Sequence, residues 1–255
     1  MNHVITLKRS VLDTALFSIP NYFFLPVPIH RFGRLLGSQS KNKELSILTM
    51  GYGCQTLAAS LLDDFGRNIQ FLQGSGSELH VHNAGDPTSF SRTRVELMDG
   101  NQNPQYDAVI SLSQTCAHVD LSPLNQFYKN LIKSDGVLYV MDWFLGPTPF
   151  EAPMVPAIDH EYEKMQFRSD VVTEKLMRRN GLNLVDKVDL TTASRNHLAT
   201  ELMYLQNSNL YERPLCVPNY KKLGRGKITP LLWLQDRLNQ STLKTSVLSF
   251  RKTIS

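Results

Sequence analysis

The chain has 255 residues, 42% of them hydrophobic and 20% charged, as expected of a globular protein with one sizeable core. Its net charge of +4 is too small to require nucleic acid, although nine Lys or Arg residues occur against three acids from Glu201 to Ser255. The three cysteines are too far apart for a disulfide framework or a metal site, and no apolar run reaches the length of a membrane span. A signal peptide is not expected, because Asp13 interrupts the first apolar run, so we expect a reducing, cytoplasmic location.

Residues 1–43 are predicted to form an N-terminal arm or lid. The stretch Pro20 to Pro28 contains too many prolines for a regular element. Its aromatic residues Tyr22 and Phe23 are costly to expose, so the segment either covers the core or lines a pocket. On the second interpretation, Tyr22 and Phe23 bind the substrate.

The next element is a strand that runs directly into a glycine turn. Leu45 to Met50 is an apolar strand-like run, Gly51-Tyr52-Gly53 follows it, and Gln55 to Phe65 has helical periodicity. Glycines at such a turn let the backbone approach a ligand at the N-terminus of a helix. The turn alone is also compatible with a tight strand-to-helix connection that binds nothing.

Strands and helices alternate along the rest of the chain, which favours an α/β fold with a doubly wound, mostly parallel sheet. About fifty residues separate the last two strands, too many for a plain loop, so residues 193–243 are predicted to be a cap insertion. The domains are then 1–43 (arm or lid), 44–192 (Rossmann-like core), 193–243 (cap) and 244–255 (last strand of the core). The predicted strands are 69–72, 95–98, 108–112, 137–141, 182–188 and 246–250, and the predicted helices are 121–132 and 171–180.

Four motifs in this order resemble the class I S-adenosylmethionine-dependent methyltransferase family. They are the Gly51-x-Gly53 turn, the strand Gln105 to Ile110, the helix–turn–strand Leu131 to Asp142, and the segment Leu176 to Leu182. The match is to the branch that methylates small metabolites. The resemblance implies a seven-stranded sheet with an antiparallel last strand, and S-adenosylmethionine as the cofactor.

The resemblance also implies the residues that contact the cofactor. Two departures weaken the first glycine motif: Thr49 stands where the family has an acid, and Gln55 stands where it has a third glycine. The implied cofactor contacts are Thr49, Gly51 and Gly53 near the methionine and ribose, Gln73 or Ser75 at the ribose, Asp99 and Gly100 at the adenine, and Ser111 and Leu112 at the methionine end.

Chemistry beyond the cofactor is assigned to side chains that follow strands or lie in nearby loops. His118 is the first candidate for a base or acceptor-positioning group, and Asp142 and His160 are further catalytic candidates. Trp143 and Phe144 are predicted to bind the substrate. Each of these residues also has a purely structural interpretation. No metal is expected, because His80 and His82 have no third ligand nearby.

Several alternatives remain open at this point. A dinucleotide oxidoreductase fits less well, since Thr56 stands where its fingerprint has a third glycine. A methyltransferase-like fold with weakened cofactor binding could catalyse a non-methylating reaction or bind a partner. An RNA methyltransferase is the last alternative, but the basic segment Lys221 to Lys227 lacks the interleaved aromatics that stack on bases. The expected partner is a small-molecule substrate.

Overall fold

A computed structural model describes residues 45–51, 54, 57–58, 61–62, 68–75, 78–84, 93–94, 105–117, 120–149, 166–207 and 228–253. These residues form an α/β fold around one eight-stranded sheet with the strand order β4-β3-β2-β1-β5-β6-β8-β7. The strands are β1 Ile47–Gly51, β2 Ile69–Ser75, β3 Glu78–Asn83, β4 Thr93–Arg94, β5 Tyr106–Leu112, β6 Ile132–Leu145, β7 Leu182–Asp189 and β8 Leu243–Lys252.

Six of the eight strands run in one direction, and β3 and β8 run in the other. Strand β1 pairs in parallel with β2 and β5, and β5 pairs in parallel with β6. Strand β8 is antiparallel to both β6 and β7, and β3 is antiparallel to both β2 and β4. The predicted Rossmann-like class with an antiparallel last strand is confirmed.

The strand count differs from the seven predicted, because β2 turns back into β3. The pairs run from Gln70–Asn83 to Ser75–Glu78, so β3 gains a full antiparallel ladder with its predecessor in the chain. No strand was predicted over 78–83, since the flanking stretch is rich in glycine and polar residues and shows no clear periodicity. The predicted strand over 95–98 lies outside the described residues.

Alternating side chains of the strands fill two hydrophobic layers, one on each face of the sheet. On one face Val109, Val140 and Leu248 pack with Phe127 and Met177. On the other face lie Ile110, Met141 and Val247 with the helical residues Leu57, Ala58 and Leu61. A sheet covered on both sides therefore explains why nearly every position of the central strands β1 and β5 is buried.

The first two labelled helices cover one face of the sheet and begin and end at local sequence signals. Helix α1, Ser122–Leu131, has proline in its first turn, where the missing N–H costs nothing. Helix α2, Asp170–Arg179, begins at Ser169, whose Oγ accepts the Val172 N–H at 3.2 Å. It ends before Gly181, which has φ +79°. The predicted helix boundaries agree with these ends to within one residue or two.

Two more helices lie between β7 and β8. Helix α3, Thr191–Asn207, contacts β8 through Ser194 and Thr245, whose hydroxyl oxygens are 2.7 Å apart. Helix α4, Ile228–Asn239, packs on α3, and Arg195 donates to the Leu238 carbonyl at 2.7 Å. The long segment before the last strand is therefore helical and attached to the sheet over its described part. Its predicted role as a cap stays a prediction.

Two of the family-like motifs meet at the amino edge of the sheet. Asp107, at the start of β5, accepts hydrogen bonds from Ser46 N at 2.9 Å, from Ser46 Oγ at 2.7 Å and from Lys133 Nζ at 2.8 Å. Partial burial acts to raise the pKa of Asp107, but these donors hold it well below its ordinary value. The motifs Gln105 to Ile110 and Leu131 to Asp142 are thus joined by an ion pair, on the edge opposite the candidate site.

Candidate functional site

The sheet reverses its winding between β1 and β5, and that point defines the candidate site. From β1 the chain continues to β2 on one side, whereas β5 continues to β6 on the other. In open α/β sheets, ligands bind in the crevice outside the carboxyl ends of the two strands at such a switch point. Here those ends are Gly51 and Leu112, which are directly paired.

Gly51 lies too close to β5 to carry any side chain. Its φ is +92°, in the region that favours glycine. A Cβ at this position would lie 2.0 Å from the Leu112 carbonyl oxygen and 2.8 Å from Nε2 of Gln114. The glycine predicted from the sequence is therefore required both by the backbone conformation and by the contact across the switch point.

Thr49 connects β1 to the helix that follows the glycine turn. It is fully buried, and its Oγ1 donates to the Cys54 carbonyl oxygen at 2.8 Å. Cys54 is itself helical and buried, and its Sγ donates to the Leu72 carbonyl at 3.4 Å. A threonine can make this donor contact and leaves no buried charge, whereas the acid expected from the family resemblance would need a cationic partner.

The chain leaves β5 in a tight turn. Ser113 has φ +53°, which is uncommon for a residue other than glycine, and its N–H donates to the Met141 carbonyl at 2.9 Å. A 3₁₀ turn, Thr115–Ala117, follows directly. This post-β5 turn, residues 113–117, lies next to Gly51 through Gln114, so it borders the place where a sheet of this kind binds its ligand.

Asp142 of β6 fixes the post-β5 turn by hydrogen bonds. Its Oδ2 accepts from Thr115 N and Thr115 Oγ1, both at 2.6 Å, and from Cys116 N at 3.2 Å. Its Oδ1 accepts from Trp143 N at 2.7 Å, and the side chain is fully buried. Burial raises the pKa of the Asp142 carboxyl, while these hydrogen bonds act in the opposite direction. The geometry gives Asp142 a positioning role; its predicted contact with the reaction stays a prediction.

The segment that leads into α2 is also attached to this turn. Gln166 N donates to the Cys116 carbonyl at 2.7 Å. The half-buried Arg168 donates from Nη1 to the Thr115 carbonyl at 3.0 Å and to the Gln166 carbonyl at 3.1 Å. Arg168 belongs to no sequence motif, and its bond to the Thr115 carbonyl joins residues 53 positions apart, so the sequence alone does not reveal it.

The solved structures that resemble this chain over most of its length include methyltransferases and a cyclase. One, assigned as a sarcosine dimethylglycine methyltransferase from Galdieria sulphuraria, has TM-score 0.62 and 15% identity over 88% of this chain and 86% of its own. The geranyl diphosphate C-methyltransferase of Streptomyces coelicolor A3(2), solved with S-adenosyl-L-homocysteine, has TM-score 0.54 and 14% identity over 88% and 78% of the two chains. The [4+2]-cyclase SpnF has TM-score 0.56 and 13% identity over 88% and 82%.

The chain has the class I methyltransferase fold. At these identities the likeness establishes the fold and leaves the reaction to be argued from the site, and the presence of a cyclase among the similar structures illustrates why. No protein-family model matches the sequence, and the search of curated proteins found no match.

Within the methyltransferase fold, the side chain of Ser111 lies away from the crevice. Its Oγ is 2.5 Å from the Tyr128 hydroxyl of α1, and both residues are fully buried. Burial raises the pKa of Tyr128 far above its ordinary value, so the phenol stays neutral and the pair is an ordinary hydrogen bond between two hydroxyls. A cofactor contact from Ser111 would therefore come from its backbone.

Trp143 and Phe144 are both 1% exposed at the carboxyl end of β6. Phe144 belongs to the hydrophobic layer that contains Val140 and Leu248. The indole Nε1 of Trp143 makes no hydrogen bond in the described part of the chain. The predicted substrate contacts of both residues remain predictions.

At the end of β2, the strand pairing locates the predicted ribose positions. Gln73 pairs with His80, and Ser75 pairs with Glu78, so both predicted ribose positions belong to the β2–β3 hairpin. The register of Thr49 with Phe71, continued by two residues, puts Gln73 level with Gly51. The remaining predicted residues lie outside the described part: Tyr22, Phe23, Gly53, Asp99, Gly100, His118 and His160.

Two negative findings apply to the described residues only. They contain no group of three or more His, Cys, Asp or Glu side chains that could hold a metal ion. None of their helices is long and apolar enough to cross a membrane.

Proposed function

We propose that this chain is an S-adenosylmethionine-dependent methyltransferase that acts on a small, partly hydrophobic metabolite. The observation that carries the proposal is the left-handed Gly51, pressed against the Leu112 carbonyl at the switch point of a class I methyltransferase fold. A backbone free of side chains at this place is what a ligand in the crevice requires. Similar structures solved with S-adenosyl-L-homocysteine support the choice of cofactor.

The residues of the crevice fit such a ligand. Gly51 lets β1 approach Leu112 without a side chain between them, and the neighbouring Ser113 Oγ and Gln114 Oε1 are buried polar atoms without partners in the described part of the chain. When bound, the cofactor supplies an electrophilic methyl group on a sulfonium sulfur. The protein then has to hold the acceptor in line and keep the site dry.

The described residues can perform that positioning. Asp142 fixes the post-β5 turn through Thr115 and Cys116, so that one wall of the crevice is preorganised. Thr49 fixes the other wall by joining β1 to Cys54 of the following helix. We propose that the predicted cofactor contacts lie between these walls.

The acceptor site is proposed largely from the sequence. Trp143 and Phe144 lie at the carboxyl end of β6, next along the sheet from β5, and Tyr22 and Phe23 are proposed to face them. The aromatic character of all four favours an acceptor with an apolar part. His118 or His160 is proposed as the base that an oxygen or carbon acceptor would need. We propose residues 193–243, including most of α3 and all of α4, as the cap.

The proposal includes a small-molecule partner and a cytoplasmic location. Cys54 and Cys116 are buried and form no disulfide among the described residues, in keeping with the reducing compartment expected from the sequence.

Two glycine variants form the test. Gly51→Ala places a Cβ against Leu112 and Gln114, whereas Gly181→Ala strains a similar backbone (φ +79°) at the distant end of α2. We expect S-adenosylmethionine to raise the melting temperature of the wild type and of Gly181→Ala, and not of a folded Gly51→Ala. Methyl transfer from labelled cofactor to metabolite fractions then identifies the acceptor. An equal response of both variants would place the cofactor elsewhere, and no response of the wild type would refute the proposal.

A further inference from the structure

Two consecutive residues of the post-β5 turn each have a buried side-chain oxygen without a partner among the described residues. Ser113 and Gln114 are both 0% exposed. Neither Ser113 Oγ nor Gln114 Oε1 makes a hydrogen bond within the described residues. Buried polar atoms are nearly always paired in folded proteins, so an unpaired one needs an explanation, and an absent ligand is one of the recognised explanations.

The orientation of the Gln114 amide follows from its neighbour. Nε2 donates to the Leu112 carbonyl oxygen at 3.2 Å, and it lies 2.8 Å from where a Cβ of Gly51 would be. If the amide were flipped, Gln114 Oε1 would face the Leu112 carbonyl oxygen at about this 3.2 Å, and two acceptors would repel each other. The unpaired atom is therefore the amide oxygen, and the group that satisfies it must be an N–H or O–H donor.

The turn around these atoms is strained and held in place. Ser113 adopts a left-handed backbone at φ +53°, which costs free energy for any residue with a Cβ. Asp142 fixes the next residues with three hydrogen bonds. Strain and unpaired polar groups that coincide within a firmly held turn are typical of a ligand site.

We propose that Gln114 Oε1 accepts a hydrogen bond from the α-ammonium group of S-adenosylmethionine. This rests on the proposed function. The end of β5 is expected to face the methionine end of the cofactor, where the ammonium is the only group with N–H donors and the carboxylate can only accept. Thr49 supplies no negative charge in place of the family's acid, so a neutral amide oxygen takes the cation.

The test compares two ligands on the full chain. S-adenosylhomocysteine and its analogue without the α-amino group differ only in the proposed donor, and calorimetry gives their dissociation constants. We expect the wild type to prefer the amino ligand by about 10- to 100-fold, since hydrogen bonds to charged groups are among the stronger ones. Gln114→Met should remove most of that preference. The exposed Gln126→Met is the matched control and should keep it.

The outcomes separate this inference from the function on which it rests. Equal affinity of the wild type for both ligands would overturn the inference and leave the methyltransferase proposal standing, and this result needs no variant to fold. Loss of affinity for both ligands alike in Gln114→Met would also overturn it. Failure of the wild type to bind S-adenosylmethionine or S-adenosylhomocysteine would overturn both.

Discussion

Replacing Asp142 by Asn should damage both stability and ligand binding, because its carboxylate fixes Thr115 and Cys116 of the post-β5 turn. The carboxylate accepts four hydrogen bonds, three through Oδ2 from Thr115 and Cys116 and one through Oδ1 from Trp143. An amide has only one acceptor oxygen. The orientation that keeps most hydrogen bonds places this oxygen at the Oδ2 position, and its NH₂ group then faces the Trp143 N–H. The other three bonds lose their charge assistance.

The expected cost is about 3 kcal/mol, since one buried donor is left unsatisfied and the remaining bonds weaken. For a domain of this size that corresponds to a fall in melting temperature of roughly 6–12 °C. Asp107→Asn is the matched control. Asp107 accepts three hydrogen bonds against the four of Asp142, from Ser46 and Lys133, at the opposite edge of the sheet.

The assay is a melting curve of each variant, followed by titration with S-adenosylmethionine below its melting temperature. Both variants should lose stability, whereas only Asp142→Asn should weaken cofactor binding, by about tenfold or more. An unchanged dissociation constant in Asp142→Asn would show that the post-β5 turn is not part of the site. A loss of stability under 1 kcal/mol would show that the carboxylate does not hold the turn.

Two further predictions concern stability alone. Tyr128→Phe and Ser111→Ala should each lower the free energy of unfolding, measured with denaturant, by about 1–2 kcal/mol. The double variant should lose about 1 kcal/mol less than the sum of the two single losses. Strictly additive losses would disprove the hydrogen bond between the two hydroxyls. Burial acts to raise the pKa of Asp170, but Lys187 and Lys244 lower it overall, so its ionised form stabilises the fold above about pH 4 and that contribution is lost as the pH falls further. The difference in melting temperature between wild type and Asp170→Asn should therefore shrink from pH 6 to pH 3, and a constant difference would contradict the ion pairs.

Local signals explain which parts of the fold could be predicted. Helix α2 was recognised from Ser169 and Gly181, because capping and chain reversal involve residues only a few positions apart. The glycine turn at Gly51 was recognised for the same reason, and the order of the motifs then suggested the fold. Strand β3 was missed because its stability comes from pairing with β2, which periodicity within one segment does not reveal.

The candidate site was harder to predict, because its important features are relations between distant residues. Ser113 Oγ and Gln114 Oε1 matter because they lack hydrogen-bond partners in the described part of the chain, and a sequence does not display missing partners. The polar run Ser113-Gln114-Thr115 directly after a buried strand was the available signal. Asp142 was identified at a strand end, but its partners Thr115 and Cys116 came only with the structure.

The central claim is that the crevice between Gly51 and the post-β5 turn binds S-adenosylmethionine, and calorimetric titration of the wild-type chain tests it most directly. We predict saturable heat with a stoichiometry of about one per chain and a dissociation constant below about 1 mM, the loose end of specific binding. Heats no larger than those of dilution at millimolar cofactor would contradict the claim.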